Sequence, residues 1–439
     1  MTVIRAMTTV RTTSARPPGA ARGATARRSS DGGIPLLGVP DSTAGFLADG
    51  YEFGRRRFEQ VGGDAFRTRL MGRPVTVVFG AEAARMFTEG RRFSRERAMP
   101  STVQHLLQDK GSVQTLEGKA HRHRKSLFID VLEPAELERL RERFAVAWGA
   151  QVAAAGGRPL AIADATPLAL TRAALGWSGI PIELVDTEKL TEHLISMVDN
   201  AGRVGPSNWR ARARRRGTER WASEAIIAVR HGQIAVAEHS PIARLARHRD
   251  AEGHPLSGED AGVELLNLLR PIAAVSRFLT FTALALIEHP EWKEPIQRGN
   301  HVDWFVNEVR RTAPFFPVVG GTARAAFDWR GSRVRSGDWV LLDLWATNHD
   351  QRIWREPDRF DPDRFATWDG DVNALIPQGP GSVDDGHRCP GEGATIALME
   401  EFARFIADAD FRVPPQDLSS NLRHFPALPA DHMRLVFVG

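Results

Sequence analysis

The chain has 439 residues, 42% of them apolar and 26% charged, and is long enough to bury a core without disulfide or zinc staples. Its one cysteine, Cys389, excludes intramolecular disulfides, cysteine-rich zinc sites and iron–sulfur clusters, and suits a reducing, cytoplasmic setting. The formal charge is +4, but residues 1–32 carry six arginines against one acid, Asp31, so the remainder is near −1, which argues against a nucleic-acid partner for the body of the protein.

Residues 1–32, poor in large apolar groups, read as a disordered arginine-rich extension, and 33–439 as one domain. The N-terminus has no apolar core of signal-peptide type, and no run approaches 18 uncharged apolar residues, so no membrane span is expected. Phe66–Leu70 and Val75–Phe79, separated by Met71-Gly72-Arg73-Pro74, predict a hairpin. From Gly80 to about Glu308 apolar residues recur at helical spacing, with breaks at Gly156-Gly157, Gly179–Pro181, Gly205-Pro206 and His254-Pro255. The arginines at 210, 212, 214, 215 and 216 fall in this stretch and read as a solvated helix face rather than a docking patch. Gly262–His289 is a long apolar helical segment interrupted by Pro271. Short strands follow at Val318-Val319, Trp339–Leu342 and Arg434–Val438, and a last helix at about Gly391–Ala407. The fold class is mainly α with minor sheets.

Cys389 stands in Gly386-His387-Arg388-Cys389-Pro390-Gly391, just before that last helix. A helix N-terminus favours a thiolate over a thiol. Taken alone, the residue could be structural, a nucleophile with a histidine base, or a thiolate ligand to haem iron. Upstream lie Glu308-Val309-Arg310-Arg311, with Glu308 and Arg311 on one helical face, and then Pro357-Asp358-Arg359-Phe360-Asp361-Pro362-Asp363-Arg364-Phe365.

This order of motifs resembles the cytochrome P-450 superfamily of haem-thiolate proteins. The resemblance runs from about Ile34 to the C-terminus. It implies that fold, with haem b between a long distal helix and the cysteine loop with its following helix. It implies Cys389 as the axial ligand and a structural triad of Glu308, Arg311 and Arg364. Monooxygenases of the superfamily carry an acid–alcohol pair on the distal helix; here no acid follows Glu264 before Glu288, and no threonine precedes Thr280. Arg270-Pro271 stands there instead, and resembles the fatty-acid peroxygenase branch. Gly111–Lys125, Arg311–Pro317 and the cysteine loop Gln378–Cys389 agree with that branch, although Ser382 replaces the usual phenylalanine seven residues before the cysteine.

The branch implies hydrogen peroxide and a long-chain fatty acid as reactants, with no redox partner protein. Arg270 would bind the substrate carboxylate, which then serves as acid–base, with Pro271 and Gln114 beside it. Hydroxylation would fall on the α or β carbon, with some decarboxylation to a terminal alkene. Gln108 stands where relatives carry a phenylalanine, which bears on the α or β preference. His121, Lys125, His387, Arg95 and Arg324 are the expected partners of the haem propionates, while Arg122, His123 and Arg124 are expected to be solvated. Phe315 and Phe316 are candidates for an acyl channel or for plain core. The competing readings are a ferredoxin-dependent monooxygenase, a non-catalytic haem-binding sensor and a cysteine hydrolase.

Overall fold

In the computed structural model, residues 33–108, 111–384 and 386–438 are described; the 1–32 extension, with the disorder expected of it, lies outside them. Two short helices, α1 (Thr43–Asp49) and α2 (Glu52–Val61), precede the predicted hairpin, β1 (Ala65–Leu70) and β2 (Arg73–Val78). Leu70 pairs with Arg73. Met71 and Gly72 both have positive φ, 52° and 74°, which suits the right-handed twist of the flanking strands. Pro74 lies short of Thr76–Val78, the residues that pair with the next strand in the sheet, so no ladder bond is lost there.

Next come α3 (Ala81–Thr88), β3 (Phe93–Ser94), α4 (Ser101–Leu107), α5 (Gly118–Asp130) and α6 (Pro134–Ala155). After β4 (Leu160–Ala161) follow α7 (Ile162–Ser178), α8 (Thr187–Asn200), α9 (Pro206–Arg230) and α10 (Pro241–Arg247). The glycine breaks read from the sequence are helix ends: Gly156 and Gly179 adopt left-handed φ as C-caps of α6 and α7. Prolines open α6, α9 and α10 at the first turn, where the missing N–H costs nothing.

The distal apolar segment is α11 (Gly258–Ala274) followed directly by α12 (Ser276–Glu288). Ser257 caps α11 by accepting from Asp260 N at 2.9 Å. Gly258–Glu288 is long and apolar enough by composition to cross a bilayer, but charged residues break it into uncharged runs shorter than the 18 read for in the sequence. Its most apolar window is 78% buried, and it packs against α7, α8 and α9, which makes it the core of this fold.

After α13 (Lys293–Gln297) and α14 (Val302–Thr312) come β5 (Val318–Ala323), β6 (Phe327–Trp329), β7 (Ser332–Val334), β8 (Trp339–Asp343) and α15 (Leu344–Asn348). Last are α16 (Glu392–Asp408), β9 (Phe411–Arg412) and β10 (Arg434–Phe437). The largest sheet runs β1-β2-β8-β5-β3, mixed in direction, and sits beside the helical body. Trp148 on α6 and Phe402 on α16, 5.2 Å apart, belong to the main helical core.

Candidate active site

The cysteine loop is braced from behind by a buried ion network. Arg388 grips Glu392 through two nitrogens, NH2 to Oε1 at 2.8 Å, and donates to Leu375 O at 3.2 Å. Arg310 donates to Glu392 and, at 2.9 Å, to Gln378 Oε1, while Cys389 N donates to Gln378 O at 3.2 Å. Gly386 is needed for close approach: a Cβ there would stand 2.7 Å from Ser382 O. Arg388 therefore pairs with Glu392, while its charge still acts on the thiol. The thiolate expected of an iron ligand depends on the metal. Burial pushes the Cys389 thiol up, with Glu392 adding to the effect, and outweighs a hydrogen bond from the Gly391 backbone and the charges of Lys125 and Arg388. The helix N-terminus does not ionise it unaided; a coordinated metal ion would.

On one side of this loop the structure gathers all five predicted propionate partners. The rings of His121 and His387 lie 4.1 Å apart. Lys125 Nζ donates to Gly386 O and, at 2.8 Å, to Arg388 O. Arg95 donates through NH1 to Gly320 O at 2.7 Å, and Arg324 pairs with Glu117. Glu117 is the acid of the cluster. It accepts from Arg95 N at 2.7 Å and Ser94 Oγ at 3.0 Å, and lies 3.8 Å from His387 Nε2. Burial would raise its carboxyl, but His387 and these donors hold it down to about 2. Burial and the neighbouring cations His387, Lys125 and Arg95 push His121 down to about 3; burial likewise lowers Arg95 to about 10. Five cationic or basic side chains around one carboxylate form a site short of negative charge, and a group with two carboxylates and a metal for the thiol satisfies both halves.

His121 yields a test of that cluster. Its folded pKa lies below the ordinary histidine value, so the haem-free protein binds fewer protons than the unfolded chain between pH 6.5 and about 3. Its contribution to stability is therefore lost as pH falls through that window. The haem-free His121→Gln variant is expected to lose less Tm than the parent between pH 7 and 5. Equal losses would remove His121 from the charge-starved cluster.

The distal half is organised on α11. Glu264, Asn267 and Arg270 follow one another at three-residue spacing. Arg270 is 4% exposed. It donates to Leu106 O (3.2 Å) and Leu107 O (2.6 Å), carbonyls at the C-terminal end of α4, and to Asn267 Oδ1 (2.9 Å). Asn267 Nδ2 donates to Glu264 Oε2 (2.8 Å) and to Gln114 Oε1 (3.2 Å). Glu264 also takes Val113 N (3.0 Å) and Arg124 NH1 (2.7 Å). Arg124, expected to be solvated, is thus buried against Glu264, because burial raises that carboxyl and leaves it needing a cation. The stretch from Gln114 to Lys125 consequently spans the site, touching the Arg270 network at one end and the cysteine loop at the other. Pro271 lies inside α11, and the helix is interrupted at Val275. Thr280, on α12 beyond that break, spends its hydroxyl on Ser276 O at 2.8 Å.

Glu308, Arg311 and Arg364 meet as a buried triad. Arg311 grips Glu308 through Nε and NH2, both at 2.7 Å, and Arg364 Nε reaches it at 3.2 Å. Phe315 packs edge-on against Phe278, whereas Phe316 is 38% exposed, at the surface rather than in the core.

A thiol at the head of α16, beside a cluster of five cationic or basic side chains, is the constitution of a haem-thiolate oxidoreductase. The cytochrome P-450 family model matches residues 287–407. The solved structure of cytochrome P-450EX alpha (CYP152N1) with myristic acid is 36% identical, covering 92% of this chain and 98% of that one, with a TM-score of 0.88. Cytochrome P-450 OleT, in a structure with arachidonic acid, is 30% identical over 92% of this chain and 99% of that one, also with a TM-score of 0.88. Human cytochrome P-450 26C1 is 26% identical, over 92% of this chain and 87% of the relative. This chain belongs to the cytochrome P-450 family, whose members bind haem b. The residues described above fit that group: Cys389 would hold its iron, and Arg95, His121, Lys125, Arg324 and His387 would take its propionates.

Proposed function

We propose that the protein is a peroxygenase that uses hydrogen peroxide to hydroxylate long-chain fatty acids at the α or β carbon. Substrate and peroxide give hydroxy acid and water, so no electrons are drawn from a partner protein. A haem held by Cys389 supplies an oxidant when it meets peroxide. Cleaving the peroxide O–O bond requires a proton to be moved from one oxygen to the other. Among the described residues α11 carries no acid–alcohol pair to do so. Arg270 carries the reading: a buried guanidinium, positioned by α4 and Asn267, supplies the charge that a substrate carboxylate pairs with. The bound carboxylate then performs the proton transfer that a side chain performs elsewhere. Gln114, tied to the same network through Asn267, borders this position. The two structural relatives, solved with myristic and arachidonic acid, support the substrate class. The lone, iron-ligating cysteine supports a reducing cytoplasmic setting.

Haem-loaded protein given myristic acid and peroxide, without reductase, is expected to yield 2- or 3-hydroxymyristate by mass spectrometry, with terminal alkene as a minor product. Product formed only with a ferredoxin, its reductase and dioxygen would assign the chain to the monooxygenase alternative.

A further inference from the structure

The arginine-rich start of α9 does not behave as a plain solvated face. Arg215, one of the five arginines, is buried, donating to Glu219 Oε1 and to Gln108 O, and Arg214 pairs with Glu192 at 2.8 Å. Arg203, Arg210, Arg212, Arg216 and Arg220 are exposed or half-exposed, and among the described ion pairs none engages them. Helical geometry puts Trp209, Arg216 and Arg220 on one stripe, flanked by Arg210 and Arg212. The one acid among them, Glu219, is spent on Arg215, and Glu224 ends the basic run one turn beyond Arg220.

Large apolar side chains stand out among these cations. Trp209 is 65% exposed and Val204 66%. Gly202 abuts Phe425, since a Cβ there would lie 3.0 Å from the Phe425 Cβ. Phe425 in turn packs on Phe46 of α1, whose neighbour Leu47 is 48% exposed. The adjoining loop adds exposed Arg423. Guanidiniums alone would also suit nucleic acid, but an indole and aliphatic groups standing free beside them match the headgroup boundary of an anionic bilayer.

The surface also lies over the distal site. Asn208, next to Trp209, donates to Thr102 O of α4 at 3.3 Å. The far end of α4 supplies the Leu106 and Leu107 carbonyls that hold Arg270. We infer that the α9 face Arg203–Arg220, with Trp209 and Val204 as apolar anchors, docks the enzyme on anionic lipid bilayers, the phase in which its long-chain acids partition. The inference extends the fatty-acid reading and rests on it for its purpose, but not for its test.

The test is vesicle flotation of full-length, haem-loaded protein with phosphatidylcholine vesicles, with and without phosphatidylglycerol. The 1–32 segment is present throughout, so differences between variants report α9. Parent protein is expected to bind the anionic vesicles at least tenfold more strongly than neutral ones, and less at high salt. Trp209→Ser/Val204→Asn and Arg210→Gln/Arg216→Gln are each expected to cut that binding at least fivefold. Both should keep the haem spectrum and the peroxide-driven turnover of soluble octanoate. Equal binding to neutral and anionic vesicles, variants that bind like the parent, or binding of duplex DNA but not vesicles would overturn the inference. Vesicle binding with neither myristate nor octanoate oxidised would leave the docking face standing and sink the substrate reading instead.

Discussion

Arg270→Ala is expected to lower kcat/KM for myristate with peroxide by 10²- to 10³-fold, about 3–4 kcal/mol, while haem content and fold persist. The figure follows from removing one partner of a poorly solvated ion pair, which strands the other. In the parent the guanidinium is already clamped by Leu106 O, Leu107 O and Asn267 Oδ1, so little is spent on ordering it when substrate arrives. Arg270→Lys should recover only part of the loss, because an ammonium keeps the charge but not the planar fork. A second readout separates binding from chemistry. A short carboxylic acid added to the parent should promote peroxide-driven oxidation of a substrate that lacks an acid group, and should do so far less in Arg270→Ala. Near-parental turnover of myristate by that variant would remove Arg270 from the mechanism.

The second large effect concerns stability. Glu308 accepts from Arg311 twice, from Arg364 and from the Asp361 backbone, and it is fully buried. Glu308→Ala leaves two guanidiniums facing each other without an anion and should cost ~3–5 kcal/mol in urea unfolding. Arg311 additionally anchors Asn348 O and Pro357 O, so the loop leading to Arg364 should loosen and haem retention fall with it. A change below ~1 kcal/mol would show that the triad is dispensable to the fold.

What could be read before the structure was local in sequence. Cys389 with its glycines, Glu308 and Arg311 three apart, Arg270-Pro271, the hairpin at Met71-Gly72 and the last helix each carry their signal within a few residues. What could not be read depends on pairing across the chain. Arg124 meets Glu264, 140 positions away, and no spacing within α5 announces it. Glu117 stands just before α5, and its role appears only where β3, α5, Arg324 and the cysteine loop converge. Arg388, adjacent to the thiol in sequence, turns instead to Glu392 one helical turn on. The cost of ionising Cys389 is of the same kind: a helix N-terminus is visible in sequence, whereas the burial that opposes it is not.

The clamp that α4 places on Arg270 has one more consequence. A guest moored by its head to a fixed post presents the same few carbons to the reacting centre, however long the remainder. Lengthening the acid from twelve to twenty carbons should therefore change how much tail must be housed, and so its affinity, while the ratio of 2- to 3-hydroxy product stays nearly constant. The enzyme would act as a ruler that counts from the acid end.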